Sequence, residues 1–147
     1  MANYIFIIND INYPKVKFSA ETVVNLLLDK NRWLLIGKGT PHLYELKTND
    51  NITIYMAGKG RRYFLCCAQI QTSIQEVDLS NVEDNEFDLY NLFNYFITLK
   101  NINFFENKKY MKDLIEDLSF IKDKNNYGLY LRRSIKKIND EDFIKIS

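Results

Sequence analysis

The chain has 147 residues, 46% of them apolar and 27% charged, with twenty Lys and Arg against nineteen Asp and Glu. That length suits one domain over residues 1–147 with an ordinary core. A net charge of +1 excludes the whole-protein positive field of a nonspecific nucleic-acid binder, so any such site must be a local patch.

The first residues carry no charged leader, and Tyr4 to Ile8 is too short for a signal-peptide core. No run approaches the roughly 18 apolar residues of a membrane span. A cytoplasmic-type protein without a membrane partner is expected. Tyr4-Ile5-Phe6-Ile7-Ile8 reads as a strand buried on both faces, ended by Asn9-Asp10. Asn9 to Lys17, with Pro14, reads as a polar loop. Ser19 is a helix N-cap with Glu21 in the first turn, and Val23, Val24, Leu26, Leu27 and Leu28 make an apolar stripe to about Asn31. A short strand over Trp33–Ile36 and a loop from Gly37 to His42 follow.

Residues 51–57 and 62–70 read as two strands joined by the hairpin Gly58-Lys59-Gly60-Arg61. Ile52, Ile54 and Met56 form one face, and Thr53, Tyr55 and Ala57 the other. Cys66 and Cys67 are adjacent and point to opposite faces, which predicts buried reduced thiols, neither a disulfide nor a metal site. Residues 71–88 read as an acidic connection with an early strand segment, Tyr95–Leu99 as a strand, and Lys108 to Phe120 as a helix by the spacing of Met111, Leu114, Ile115 and Leu118. The tail from Tyr127 leads through Ile135 and Ile138 to a short helix, Asp140 to Ile146. The pattern predicts a mixed α/β, barrel-like sheet flanked by about three helices.

The order of Trp33, Thr40-Pro41, Leu46-Lys47, Asp50, Ile52, Ile54-Tyr55 and Ala57-Gly58, before a second aromatic strand, resembles the EVE domain, a PUA-like fold related to the YTH family. The likeness continues through Leu118-Ser119-Phe120-Ile121, Asn126-Tyr127-Gly128, Arg133-Ser134-Ile135 and the acidic helix at 140–146. Asn49-Asp50 stands where the family's turn is Gly-Asp.

The resemblance implies an α+β, PUA-like open β-barrel and a binding activity, not catalysis, with no cofactor or metal. The implied partner is nucleic acid, DNA or RNA, whose modified (for example methylated) base enters an aromatic pocket, with a separate effector protein acting alongside. On this reading Trp33 and Tyr55 stack the base, Asn9 or Asp10 reads its edge, and the backbone of Gly37 and Gly39 holds an oxygen. Lys38, Lys59, Arg61 and Arg62 steady the phosphates, with the Arg132-Arg133 and Lys136-Lys137 pairs in reserve.

Residue by residue, plainer roles stay open: Trp33 as core, Tyr55 as packing under a helix, Asn9 as a strand-end Asx turn, and His42 as a loop residue. Two rival functions also stand. An ASCH-like hydrolase would need a G-x-K-x-x-E-x-R spacing, whereas Gly37 is followed by Lys38-Gly39-Thr40-Pro41 and Glu45 is isolated. A small-ligand or protein-interaction module would show no salt-dependent nucleic-acid binding.

Overall fold

The computed structural model describes residues 1–147. The first strand, β1 (Asn3–Ile8), is buried on both faces as its unbroken apolar run requires: Tyr4 and Phe6 enter a main core, and Ile5 a second one. The expected loop after it contains a small ribbon, β2 (Ile11–Asn12) against β3 (Lys17–Phe18). In α1 (Ala20–Asp29) the Ser19 hydroxyl accepts the Thr22 N–H at 3.1 Å, and Val23, Val24, Leu27 and Leu28 are buried. The chain continues through β4 (Arg32–Leu35), β5 (Asn51–Met56), β6 (Tyr63–Glu76), α2 (Phe87–Tyr90), β7 (Tyr95–Tyr110), α3 (Met111–Leu114), β8 (Ile135–Ile138) and α4 (Asp140–Ile146).

Six strands form one sheet in the order β4-β7-β6-β5-β1-β8. Only β1 and β5 pair in parallel; every other neighbouring pair is antiparallel. The sheet curls into a half-barrel, aided by bulges in the long β6–β7 pairing. The main core fills its interior, where α1 closes it. Nine residues make the second core on the other face, among them Ile5, Tyr55, Phe64, Met111, Leu118 and Ile146, beneath α3 and α4.

Two expectations change. The strand beginning at Tyr95 does not stop at Leu99: it runs to Tyr110, because Lys100, Asn103, Phe104 and Lys109 all pair with β6. Its polar residues gave no local strand signal, and the pairing that orders them spans some forty residues of chain. The helix expected over 108–120 shrinks to the single turn α3. Met111 and Leu118 mark burial in the second core instead, at points where an irregular chain touches the sheet. Both cysteines are free; Cys66 is buried and Cys67 half-buried, and burial pushes the Cys66 thiol up to about 12. Such a thiol stays protonated and inert at neutral pH.

Candidate functional site

The two aromatic residues expected to share a pocket lie on opposite faces of the sheet. Trp33 is 3% exposed and stacks on Phe6 in the main core, with ring centroids 6.0 Å apart. Tyr55 is 2% exposed and packs on Phe64 in the second core, centroids 4.9 Å apart. Neither ring offers a free face to a base, and the sheet itself separates them. Alternation along β5 sends Tyr55 away from the face occupied by Ile54 and Met56, while large aromatic area favours burial of Trp33.

Asn9 and Asp10 leave the end of β1 beside the 58–62 hairpin, where each is already engaged. The Asn9 side-chain oxygen accepts the N–H of the next residue, Asp10, at 2.8 Å, one residue short of the Asx turn expected there. Asp10 accepts the Ala20 N–H at 2.9 Å and Arg61 at 2.6 Å. Arg61 also forks onto both oxygens of Glu21, at 2.6 and 2.7 Å. It therefore ties β1, α1 and the hairpin together; two carboxylates already neutralise it, and it is not a free phosphate ligand. Gly58, at φ +105°, lies where an added Cβ would come within 2.8 Å of the Asn9 oxygen, so glycine is required for this close approach.

This cluster has a pH consequence. The Ala20 N–H, then Arg61, hold the Asp10 carboxyl below the usual range; hydrogen bonds from Arg61 bring that of Glu21 from 4.5 to about 2. Both groups are depressed in the fold, so their stabilisation is complete above about pH 4, the unfolded carboxylate range, and is lost as pH falls toward 2. Both carboxylates are about half exposed, which keeps the effect small. Urea midpoints measured from pH 5 to pH 2 are expected to fall, and less steeply in Arg61→Met. An unchanged slope in that variant would contradict the linkage.

Gly37 and Gly39 belong to the other end of the half-barrel. β4 runs antiparallel to β1 and β5 in the sheet, so the loop after it emerges beside their N-terminal ends. The Gly37 N–H donates to the Asn94 side chain at 2.8 Å, and Gly39 and Lys38 are exposed beyond it. The loop and the Asn9–Asp10 turn thus do not converge on one base. Lys59 is exposed at the hairpin tip.

What the fold does assemble is a pair of adjoining clefts, of about 490 and 440 Å³, that share Leu129 and Arg132. The larger is lined by Pro41, His42, Tyr130, Arg133, Ile135 and Lys136 besides the shared pair; the smaller by Arg62, Tyr127 and Gly128 among others. No carboxylate lines either cleft, and Arg62, Arg132, Arg133 and Lys136 make no ion pair. The Ser134 carbonyl accepts the Ile7 N–H at 2.9 Å, fixing the arginine pair to the edge of the sheet. The Tyr130 hydroxyl accepts the Asp123 N–H at 3.1 Å, which orients its ring.

His42 borders the larger cleft with Nδ1 2.7 Å from Glu45, and Lys137 donates to the other Glu45 oxygen at 3.3 Å. These two bonds, His42 first, hold the Glu45 carboxyl below its ordinary range. His42 and Arg62 are both left-handed non-glycine residues, at φ +61° and +64°. Such conformations cost of order 1–3 kcal/mol and concentrate at functional sites.

Of the residues expected to meet the base or its phosphates first, only Arg62 lines these clefts; Arg132, Arg133 and Lys136, from the two further cation pairs, line them as well. Tyr127, Tyr130 and His42 were missed because they come from short 3-10 segments and their caps, 85 or so residues apart. The signal available was the interleaving of Tyr127 and Tyr130 with Arg132-Arg133.

No protein-family model and no curated protein sequence matches the chain. Solved structures do. The N-terminal domain of Staphylothermus marinus McrB aligns over 98% of this chain and 92% of its own, with a TM-score of 0.65 at 12% identity. Human THYN1, solved in complex with 5-methylcytosine containing DNA, aligns over 98% and 94%, with a TM-score of 0.64 at 14% identity. A Pseudomonas putida protein aligns over 97% and 95%, with a TM-score of 0.63 at 12% identity. What these proteins share with the chain is the fold over nearly its whole length, a PUA-like fold.

Proposed function

We propose that the protein binds nucleic acid through the paired clefts and reads a modified, most simply a methylated, base there. The observation that carries this reading is the carboxylate-free set of unpaired cations, Arg62, Arg132, Arg133 and Lys136, bordering pockets that also present Tyr127, Tyr130 and His42. Cations without a carboxylate partner are available to phosphates, and each contact releases counterions. An aromatic face is worth about 1–3 kcal/mol to a stacked base, enough to offset part of the few kcal/mol that unstacking costs. A methyl group buried against Tyr130, Ile135 or Leu129 adds about 0.8 kcal/mol.

The fold shared with THYN1, whose structure was solved with 5-methylcytosine containing DNA, supports the same reading. The hydrolase alternative needs a Lys, a carboxylate and an Arg meeting in one cleft; no carboxylate lines these clefts, and the nearby Glu45 is bonded to His42 and Lys137.

The test is fluorescence anisotropy with short single-stranded and duplex oligonucleotides, with and without 5-methylcytosine, at two salt concentrations. Tighter binding to the methylated strand, weakened by salt, is the expected result. Failure of every oligonucleotide to bind at low salt would refute it.

A further inference from the structure

Away from these clefts lies a smaller cavity of about 130 Å³, between β4, β7 and the segment joining β6 to α2. Arg32, Tyr90, Asp78 and Phe96 line it with Val77 and Val82. It shares no residue with the cationic clefts. Tyr90 is 2% exposed, and its hydroxyl is the one buried side-chain polar atom in the protein without a hydrogen-bond partner. Such an orphan costs stability and calls for a missing partner. Arg32 places its guanidinium 5.1 Å from the centre of the Phe96 ring, and its donors meet no acceptor. Asp78 is fixed by bonds from the Ser80 hydroxyl at 2.6 Å and the Asn81 amide at 2.8 Å.

We propose that this cavity is a binding site for a small, uncharged, planar amide or lactam, such as a free pyrimidine base. Its size is near the roughly 150 Å³ of a cavity that takes benzene. Arg32 and Asp78 cancel in charge, so a neutral occupant fits better than an ion of either sign. An amide edge matches the polar groups: its carbonyl accepts from Arg32 and from the Tyr90 hydroxyl, and its N–H donates to Asp78. Phe96, Val77 and Val82 cover its faces.

The test is methyl NMR of the full chain, following Val77 and Val82 during titration with uracil or benzamide, with benzoate and benzylamine as charged controls. Saturable shifts are expected with the neutral amides and not with the charged compounds. Tyr90→Phe keeps the ring, deletes the orphan hydroxyl, and is expected to fold as well as wild type while binding about tenfold more weakly, the worth of one buried hydrogen bond. Arg32→Lys, which keeps the charge but loses the fork, is expected to weaken binding as well. The proposal fails if millimolar uracil and benzamide leave both valines unshifted, as a cavity holding only water would. It also fails if Tyr90→Phe binds like wild type, or if a charged control binds best.

Discussion

Trp33→Ala is expected to cost about 3–5 kcal/mol of folding stability, the range for removing a large buried aromatic side chain. The indole is 3% exposed and stacked on Phe6, between α1 and the inner face of the half-barrel, so alanine leaves a cavity that β1 and β4 cannot close. Against a total stability of about 5–15 kcal/mol for an ordinary domain, this brings the protein close to unfolding. Urea denaturation followed by far-UV circular dichroism measures it, and an unchanged midpoint would contradict the core assignment. Loss of nucleic-acid binding in Trp33→Ala would then report unfolding and say nothing about stacking. Substitutions at exposed cleft residues are the informative ones.

The combined change Arg62→Gln, Arg132→Gln, Arg133→Gln is expected to reduce oligonucleotide affinity while leaving the fold intact. All three side chains are exposed and make no ion pair, so each substitution should move stability by no more than about 0.5 kcal/mol. If each arginine neutralises one phosphate, the slope of log K against log salt falls by about 2 for single strands and nearly 3 for duplex. The electrostatic contribution vanishes near 1 M salt, so that change corresponds to an affinity loss on the order of 10²–10³ at 0.1 M. Lys38→Gln, at the far end of β4, is expected to leave the slope unchanged. A triple variant with the wild-type slope would remove the clefts from the interface.

The fold was more legible in the sequence than the site, for a physical reason. Strand β1, the Ser19 cap, the 58–62 hairpin and the Asn139-capped α4 are each set by neighbours in sequence, and all stand where local pattern puts them. The long β7 and the shortened α3 depend on pairing with β6, which no local window contains. The site suffers most from this. Trp33 and Tyr55 carry the chemistry a base pocket needs, but the pleat of β5 and the stacking of Phe6 decide where they point. Arg61 looks like a phosphate ligand until α1 brings Glu21 to it, 40 positions away. Apart from Ile135 and Lys136 on β8, the residues that do face a cleft come from the segments between strands, where position follows from the scaffold and not from periodicity.

The most direct test of the account is an amide and imidazole NMR titration of the full chain with a single-stranded oligonucleotide containing one 5-methylcytosine. The account predicts saturable shifts centred on His42, Leu129, Tyr130, Arg132 and Arg133, larger than those caused by the unmethylated strand. Shifts confined to another surface, such as the exposed β7 groove around Phe104 and Tyr110, or equal shifts from both strands, would contradict it.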